Sequence, residues 1–367
     1  MEKQIELYKI AAAYLHGFKK SKLKILMKRA GSLKSIFEDS YSHLHNETGI
    51  SMDMLYKMKR ENALKRAQLN FQFNKSHNIR SIFLEDDTYP YQLKECKDGP
   101  IQINVIGNIS LEKRRIVSIV GTRKCSPSSK QIVDQLIYSL KGLDIIVISG
   151  LASGIDTLVH EYCLKYEVPT IAVLGHGLNM IYPKENRTLA RKIITSGGGL
   201  ISEFYFEKRP NKYSFPQRNR IIAGMADVTL IVESPLKGGS MITAELANSY
   251  SREVMAFPNA INGLGGCNQL IKTNSAHMIT SSEDLFELMN WKTKDEGNTE
   301  DDINLSQEEQ ALMQTIKKQN EIHIDEIFDA SNLQPSLIQG LLMQLELKNC
   351  IYNTCLLYTS PSPRDLH

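Results

Sequence analysis

The sequence predicts an α/β protein with a Rossmann-like, doubly wound, mainly parallel sheet and a small helical domain on either side of it. Three observations predict this class. Short runs rich in valine and isoleucine alternate with helical stretches of about 10 to 15 residues, which is typical of βαβ units. There are six such runs, enough for a doubly wound sheet. The chain has 367 residues, too many for one compact core, so two or three domains are expected.

Composition excludes several classes of protein. Hydrophobic residues at 42% and charged residues at 23% describe a globular chain, not a disordered, collagenous or coiled-coil one. The longest apolar runs are far shorter than the roughly 20 residues of a membrane-spanning helix, and the N-terminus lacks the apolar core of a signal peptide. Six cysteines without a CxxC motif predict neither a disulfide framework nor a zinc site. We therefore expect a cytoplasmic protein with no membrane association, no metal and no cofactor.

Residues 1–80 are predicted to form an N-terminal helical domain. Apolar residues recur there at helical spacing, and Gly31-Ser32 fits a helix end followed by an N-cap. This segment has 16 basic and 7 acidic residues, net +9, which indicates either a polyanionic partner or only a solvated lysine-rich surface. Residues 17–22 are compatible with the phosphate-holding turn of a helix-hairpin-helix. A helical bundle with a purely structural role is the alternative.

Residues 81–291 are predicted to form an extended Rossmann-like domain with nearly balanced charge, 22 basic against 21 acidic residues. Its predicted strands are residues 115–120, 145–149, 170–174, 200–203, 228–233 and 254–257. These short runs are rich in valine and isoleucine, as expected for the strands of a parallel sheet that is covered on both faces.

The C-terminal part is predicted to contain a winged-helix-like domain at residues 305–355, after a polar linker at 292–304. Helices are expected at 305–318, 324–330 and 337–347, with Asp325 and Pro335 near the starts of the second and third. A wing hairpin should lie near residues 350–354. Residues 356–367 show no strand alternation and are expected to be a non-native tail, with the natural C-terminus missing. Residues 292–367 have net charge −7, from 6 basic and 13 acidic residues.

Glycine-containing loops follow four of the predicted strands. They are Gly121-Thr122-Arg123, the block from Ser149 to Asp156 that contains Gly150 and Gly154, Gly175-His176-Gly177, and Gly238-Gly239-Ser240. The carboxyl ends of parallel strands share one edge, where small residues and helix N-termini receive anions. The GxGxxG and GxxxxGK[ST] patterns are absent, which argues against a dinucleotide or P-loop site. We expect a phosphate site that includes Arg123.

The segment 208–220, KRPNKYSFPQRNR, has five basic residues interleaved with Tyr213 and Phe215. Lysine and arginine neutralise phosphates, and an exposed aromatic ring can stack on a base, a combination that suits single-stranded nucleic acid. In the alternative, Phe215 anchors the loop in the core and the arginines are solvated. A helix is expected to begin at Gln217.

No catalytic residue is predicted. Asp156, His160 and His176 lie in or near the glycine loops, but no serine occupies a nucleophile elbow. Asp156 is expected to bond to its own loop at a helix start.

These segments resemble the DNA-processing protein A (DprA/Smf) family of bacterial transformation proteins. The resemblance lies in Val120-Gly121-Thr122-Arg123 with Ser126, the block 149–156, the run 215–221 (FPQRNRI) and the run 239–244 (GSMITA). Tyr89-Pro90 with Leu93, and Gly107-Asn108, resemble the family's lead-in to the sheet. The resemblance covers about residues 80–285, and the flanking helical domains match only in outline.

The resemblance implies a DNA-binding protein and not an enzyme. Members of this family bind and protect incoming single-stranded DNA during natural transformation, load the RecA recombinase onto it, and act as homodimers. By matching positions, phosphates would be held by Gly121, Thr122, Arg123 and Ser126, while Lys212, Arg218, Asn219 and Arg220 would flank the strand and Phe215 would stack on a base. Ser149, Gly150, Gly154, Gly238, Gly239 and Ser240 complete the predicted DNA-binding set and would shape the pocket.

An enzymatic alternative remains open. The run 238–245 is also similar to the GGxGTxxE element of nucleoside-monophosphate phosphoribohydrolases of the lysine-decarboxylase-like Rossmann class. Arg123 and Glu245 would then act around a sugar phosphate. Against this hypothesis, Ser-Met replaces the expected x-Gly of the element, and the basic aromatic segment 208–220 has no role in such an enzyme.

Overall fold

The computed structural model describes residues 2–111, 115–260, 263–291, 306–318, 322–331, 334–347, 351–354 and 357–359. The chain divides into two compact units, Met1–Asn290 and Trp291–His367. None of the described helices has the length and apolarity needed to cross a bilayer.

The first unit opens with six helices around a small apolar core. They are α1 (Glu2–Ala12), α2 (Lys20–Ala30), α3 (Leu33–Glu38), α4 (Tyr41–Thr48), α5 (Met52–Lys57) and α6 (Arg60–Ser76). The predicted break between α2 and α3 is confirmed: Gly31 ends α2 in the left-handed conformation (φ 77°), and Ser32 Oγ accepts a hydrogen bond from Ser35 N at 3.0 Å. Ile10, Leu23, Leu26 and Ile36 are among the fully buried side chains of this core.

A nine-stranded sheet follows. Its strands are β1 (Arg80–Phe83), β2 (Gln102–Gly107), β3 (Arg115–Val120), β4 (Ile145–Ser149), β5 (Thr170–Val173), β6 (Gly199–Ser202), β7 (Val228–Ile231), β8 (Glu253–Ala256) and β9 (His277–Met278). Their order is β1-β2-β6-β5-β4-β3-β7-β8-β9. All pairs are parallel except those of β2 with β1 and β6. The mainly parallel sheet is confirmed, with all six predicted strands present; β1, β2 and β9 were not predicted.

Helices cover both faces of the sheet. They are α7 (Tyr91–Glu95), α8 (Pro127–Ser139), α9 (Ile155–Tyr166), α10 (Arg187–Thr195), α11 (Ser214–Met225), α12 (Gly239–Ser249), α13 (Gly266–Lys272) and α14 (Ser282–Leu288). Ile171 and Val173 of β5 pack in the core that contains α11 and α12, whereas the alternate residue Ala172 packs with α10. The chain runs from β3 through β4 and β5 to β6 on one side, and then returns to place β7 on the other side of β3, so the strand order reverses at β3.

The prediction that a helix begins at Gln217, within the 208–220 segment, is wrong, because α11 begins at Ser214. Proline is tolerated in the first helical turn, where amides lack helical partners, so Pro216 does not delay the helix. Asn211 Oδ1 also accepts hydrogen bonds from the amides of Tyr213 and Ser214, both at 2.9 Å, and thereby organises the entry.

The second unit contains α15 (Gln307–Lys318), α16 (Ile324–Ala330) and α17 (Pro335–Leu347), close to the predicted positions. Three short strands, β10 (Ile322–His323), β11 (Tyr352–Thr354) and β12 (Leu357–Thr359), form an antiparallel sheet in the order β10-β12-β11, as in a winged helix. The expectation that residues 356–367 hold no strand is wrong at 357–359, because pairing with two neighbours stabilises a three-residue strand that is too short to show alternation. The predicted linker and residues 360–367 lie outside the described residues.

Candidate nucleic-acid interface

A cavity of about 730 Å³ opens at the carboxyl edge of the sheet, between β3 and β7. Ligands of open α/β sheets bind at such a point, where the strand order reverses. The predicted residues that line the cavity are Gly121, Thr122, Arg123, Lys212, Phe215, Arg218, Asn219, Gly238, Gly239 and Ser240. Ten of the fifteen predicted site residues, which come from three separate parts of the sequence, therefore meet at one cavity.

Glu233 holds two walls of the cavity together. Its carbonyl accepts a hydrogen bond from Thr122 N at 2.7 Å, which joins the loop after β3 to the end of β7. Its carboxylate accepts hydrogen bonds from Ser126 N at 2.9 Å and from Ser129 Oγ at 2.7 Å. The loop that carries Arg123 is thus fixed at both ends.

Gly154 lets the Arg123 loop pack directly against the start of α9. Gly154 has φ +87°, and a Cβ atom there would lie 2.4 Å from the Thr122 carbonyl oxygen and 2.5 Å from the Arg123 carbonyl carbon. Ile155 N donates a hydrogen bond to the Thr122 carbonyl at 3.1 Å. A side chain at position 154 would displace the loop or strain the backbone.

Three cations face the cavity at different depths. Arg123 and Lys212 are exposed, whereas Arg218 is only 6% exposed. Arg218 Nη1 donates a hydrogen bond to the Val173 carbonyl, and Arg218 Nε donates one to Asn219 Oδ1 at 3.0 Å. Arg123 and Lys212 are available to a ligand, while Arg218 is a fixed positive charge in the wall.

Asp156 is the acidic residue among the groups that line the cavity. Its Oδ2 accepts a hydrogen bond from Ala152 N at 3.2 Å, so the expected bond to its own loop is confirmed. Burial raises the pKa of the Asp156 carboxyl, and the nearby Arg218 and Arg123 charges oppose that shift. Gly150 makes room for this arrangement, since a Cβ there would lie 2.2 Å from Asp156 Oδ2 and 2.3 Å from Arg218 Nη1.

Phe215 is half-buried in the cavity wall, between an arginine and a second aromatic ring. The Arg123 Cζ atom lies 5.9 Å from the centre of the Phe215 ring. The ring of Tyr182 lies on another side, with 6.0 Å between ring centres and a 41° tilt. Gly175 packs against the Phe215 edge, where a Cβ would lie 2.9 Å from Cδ1. Phe215 is therefore held in place and yet reachable from the cavity.

The N-terminus of α12 supplies backbone donors. Amides in the first turn of a helix have no helical partner and favour anions. Asn219 Nδ2 donates a hydrogen bond to the Gly239 carbonyl at 3.2 Å, and Ser240 Oγ donates one to Ser234 Oγ at 2.7 Å. Both bonds fix the start of α12 beside the cavity.

Several sequence-predicted residues do not reach the cavity. Ser149 is fully buried and donates a hydrogen bond to the Ile119 carbonyl at 2.6 Å, and Ser126 caps α8. Arg220 forms an ion pair with Glu203 and a hydrogen bond to the Asp98 carbonyl. Glu245, which the hydrolase hypothesis requires beside Arg123, is not among the residues that line the cavity.

The predicted phosphate-holding turn at residues 17–22 is only partly available. Lys20 is buried at the start of α2, and its ammonium donates hydrogen bonds to the carbonyls of Lys94 and Cys96. Lys20 therefore joins the helical segment to the sheet and does not face a solvent-exposed ligand.

Sequence reasoning missed Tyr182 and Asn211, which also line the cavity. Tyr182 belongs to the loop after β5 and carries no motif; only the fold brings it to Phe215. Asn211 had a usable signal, because an asparagine side chain often accepts a hydrogen bond from the amide two residues further along the chain.

The helices of residues 1–80 pack against the loop that leads into the cavity. Asn70 Oδ1 accepts a hydrogen bond from Phe206 N at 3.2 Å, and the rings of Phe73 and Phe206 stack with 4.4 Å between centres. The Arg66 guanidinium lies 4.7 Å from the Tyr14 ring centre and 4.9 Å from that of Tyr205. These contacts fix the loop at residues 205 and 206, a few residues before Lys212 reaches the cavity.

Comparison with known proteins gives consistent results. Residues 80–290 match the family described as DNA recombination-mediator protein A. The chain is 37% identical over 231 residues to DNA processing protein DprA of Streptococcus pneumoniae, covering 62% of this chain and 80% of that protein. It is 33% identical over 272 residues to Protein Smf of Synechocystis, covering 71% and 68%.

The solved structures similar to this one include two DNA processing A proteins. The X-ray structure of DNA processing protein A from Streptococcus pneumoniae superposes with a TM-score of 0.65 at 32% identity, covering 77% of this chain and 96% of that one. DNA processing protein A from Helicobacter pylori, whose structure is described for its single-stranded DNA binding mode, gives a TM-score of 0.53 at 29% identity, covering 58% and 95%.

Proposed function

The chain belongs to the DNA recombination-mediator protein A family, and from that premise we propose that it binds single-stranded DNA in the cavity between β3 and β7. The observation that carries the proposal is that Arg123 and Phe215, which are distant in sequence, line the same cavity. The Arg123 Cζ atom lies 5.9 Å from the centre of the Phe215 ring. A cation beside a held aromatic ring matches the two parts of a nucleotide, phosphate and base. The single-stranded DNA bound by the Helicobacter pylori relative supports the same ligand.

In this proposal, each group has a distinct role. Arg123 and Lys212 neutralise successive phosphates at the exposed rim, and the first-turn amides of α12 donate to another phosphate oxygen. Phe215 stacks on a base, which requires that base to be unpaired. Buried Arg218 keeps the wall positive while Asp156 offsets part of its charge.

We further propose that the protein acts in the cytoplasm as a homodimer, protects incoming DNA during natural transformation and loads the RecA recombinase, without chemical turnover. These roles rest on the family resemblance. Sedimentation at several protein concentrations tests the dimer, and strand exchange on coated single-stranded DNA with and without this protein tests recombinase loading.

The experiment that tests DNA binding is an anisotropy titration of labelled single-stranded and duplex DNA of one sequence at two salt concentrations. We expect the single strand to bind more tightly at both, with affinity that falls as salt rises, because phosphate contacts release counterions. Equal affinity for the two forms would contradict the stacking site, and absence of binding would contradict the proposal. Incubation with nucleoside monophosphates tests the hydrolase hypothesis, which predicts release of free base.

A further inference from the structure

A second large depression lies in the N-terminal helices. It has a volume of about 830 Å³ and is formed by α1, α2 and α3 with Glu85 at its edge. Clefts of about 300–1,000 Å³ are of the size that binds ligands. None of the residues predicted to contact DNA lines this groove.

The floor of the groove is apolar. Ile5 is 47% exposed, and Met27 and Leu33 are half-buried. Tyr8 closes one side and is rigid, since its hydroxyl accepts a hydrogen bond from Gln4 Nε2 at 2.8 Å and donates one to Glu38. Single exposed apolar side chains are ordinary, but three that share one concave surface indicate a binding site.

The rim of the groove has an excess of positive charge. Lys24 and Lys28 lie one helical turn apart on α2, and neither forms an ion pair with any described residue. Lys34 lies 3.7 Å from Glu38 and neutralises it, which leaves Glu85 as the unbalanced acid. The surrounding segment 1–80 has net charge +9, which attracts acidic partners over a longer range.

We propose that this groove binds an acidic amphipathic segment of a partner protein. The apolar face of such a segment covers Ile5, Met27 and Leu33, while its flanking carboxylates pair with Lys24 and Lys28. Nucleic acid fits less well, because a phosphate backbone would leave the apolar floor uncovered and would face the unbalanced carboxylate of Glu85. This inference does not depend on the proposed DNA cavity.

The test is fluorescence anisotropy of the full chain with a labelled synthetic helical peptide that has leucines on one face and glutamates on both flanks. We expect saturable binding that weakens as salt rises. A peptide of the same composition, with its leucines spread around the helix, should bind at least about tenfold more weakly. Failure of the amphipathic peptide to bind would overturn the proposal.

Variants locate the site. The double variant Lys24→Glu/Lys28→Glu, and separately Ile5→Glu, should each weaken peptide binding at least about tenfold. Lys22→Glu is the matched control, since Lys22 is an exposed lysine of α2 outside the groove, and it should leave peptide affinity within about twofold. All positions are exposed or half-exposed, so melting temperatures should stay unchanged. Undiminished peptide binding by the groove variants would overturn the proposal. A competition experiment uses the Arg123→Ala variant, in which the DNA cavity is weakened. If single-stranded DNA displaced the peptide from that variant, the groove would bind nucleic acid and the proposal would be overturned.

Discussion

Phe215 is the single side chain whose replacement most directly tests base stacking. Phe215→Ala should weaken binding of single-stranded DNA by about 1–3 kcal/mol, because a base loses its aromatic partner. Tyr138→Ala is the control, since Tyr138 is 62% exposed on α8 and does not line the cavity. Anisotropy titrations of both variants and of the wild type give the comparison. Unchanged affinity in a folded Phe215→Ala protein would show that Phe215 only anchors the loop.

Arg123 tests the contribution of phosphate contacts. Arg123→Ala should lower affinity and make the plot of log affinity against log salt shallower by about 0.7, the value for one phosphate contact on a single strand. Lys141→Ala is the charge-matched control, since Lys141 is exposed just beyond the C-terminal end of α8, away from the cavity. If Arg123→Ala keeps the wild-type slope, Arg123 does not contact the DNA backbone.

Buried His160, which bonds to the loop at Gly150, should make the free energy of unfolding depend on pH in the acid range. It is fully buried, its Nε2 donates a hydrogen bond to the Gly150 carbonyl at 2.6 Å, and burial lowers its pKa from 6.5 to about 4. Between these values the unfolded chain binds a proton that the folded one does not, so the free energy of unfolding should fall as pH decreases from about 6.5 to about 4, by up to about 1.4 kcal/mol per pH unit.

The control for this prediction is His160→Gln, which removes the titrating group. Urea unfolding of both proteins across this pH range should show that the stability difference between them narrows as pH falls. Parallel pH dependences would mean that His160 does not titrate with the shifted pKa.

Helix α11 shows how far the sequence predicted the site. The basic aromatic segment was recognised, and Arg218 and Phe215 do line the cavity. Arg218 and Arg220 differ by two residues, which is about 200° around a helix, so they point to opposite sides and only Arg218 reaches the cavity. The sequence pattern located the segment, but the start of the helix decides which cations face the ligand.

Loops were easier to predict than individual side chains. The four glycine loops lie at the carboxyl edge because parallel strands require it. Ser126 and Ser149 could not be assigned from the sequence, since a serine hydroxyl serves equally well as a helix cap or as a ligand contact, and here both bond within the protein. The edge strand β1 and its neighbour β2 were missed because both begin with a polar residue and pair antiparallel, outside the βαβ pattern.

The loops around α9 and α12 respond differently to the same substitution. Gly154→Ala should lower the free energy of unfolding by at least about 1–3 kcal/mol, since φ is +87° and backbone atoms occupy the Cβ position. Gly239→Ala is the matched control, because nothing lies within 4 Å of its added Cβ, and it should change stability by less than about 1 kcal/mol. Denaturant unfolding distinguishes them. Equal stabilities would show that the Arg123 loop moves away freely.

At the scale of the whole molecule, the helices of residues 1–80 and the sheet form one unit. Phe206 contacts both Asn70 and Phe73, and Lys20 bonds to the carbonyls of Lys94 and Cys96. Deletion of residues 1–80 would remove these contacts from the sheet. If the shortened protein lost DNA binding, the cause could be either the loss of DNA contacts in residues 1–80 or a disturbed structure of the remaining sheet. Substitutions of exposed residues are therefore the appropriate tests in this part of the chain.

Truncation after Asn290 is the appropriate large-scale test, because it follows the boundary between the two units. All fifteen predicted DNA-binding residues lie before it, and the removed residues have net charge −7. We expect the truncated protein to melt within a few degrees of the full chain and to bind single-stranded DNA equally or more tightly, with a larger gain at low salt because repulsion is then less screened. Anisotropy titrations at two salt concentrations measure this. More than tenfold weaker binding by the folded truncated protein would place an essential part of the DNA site in the second unit.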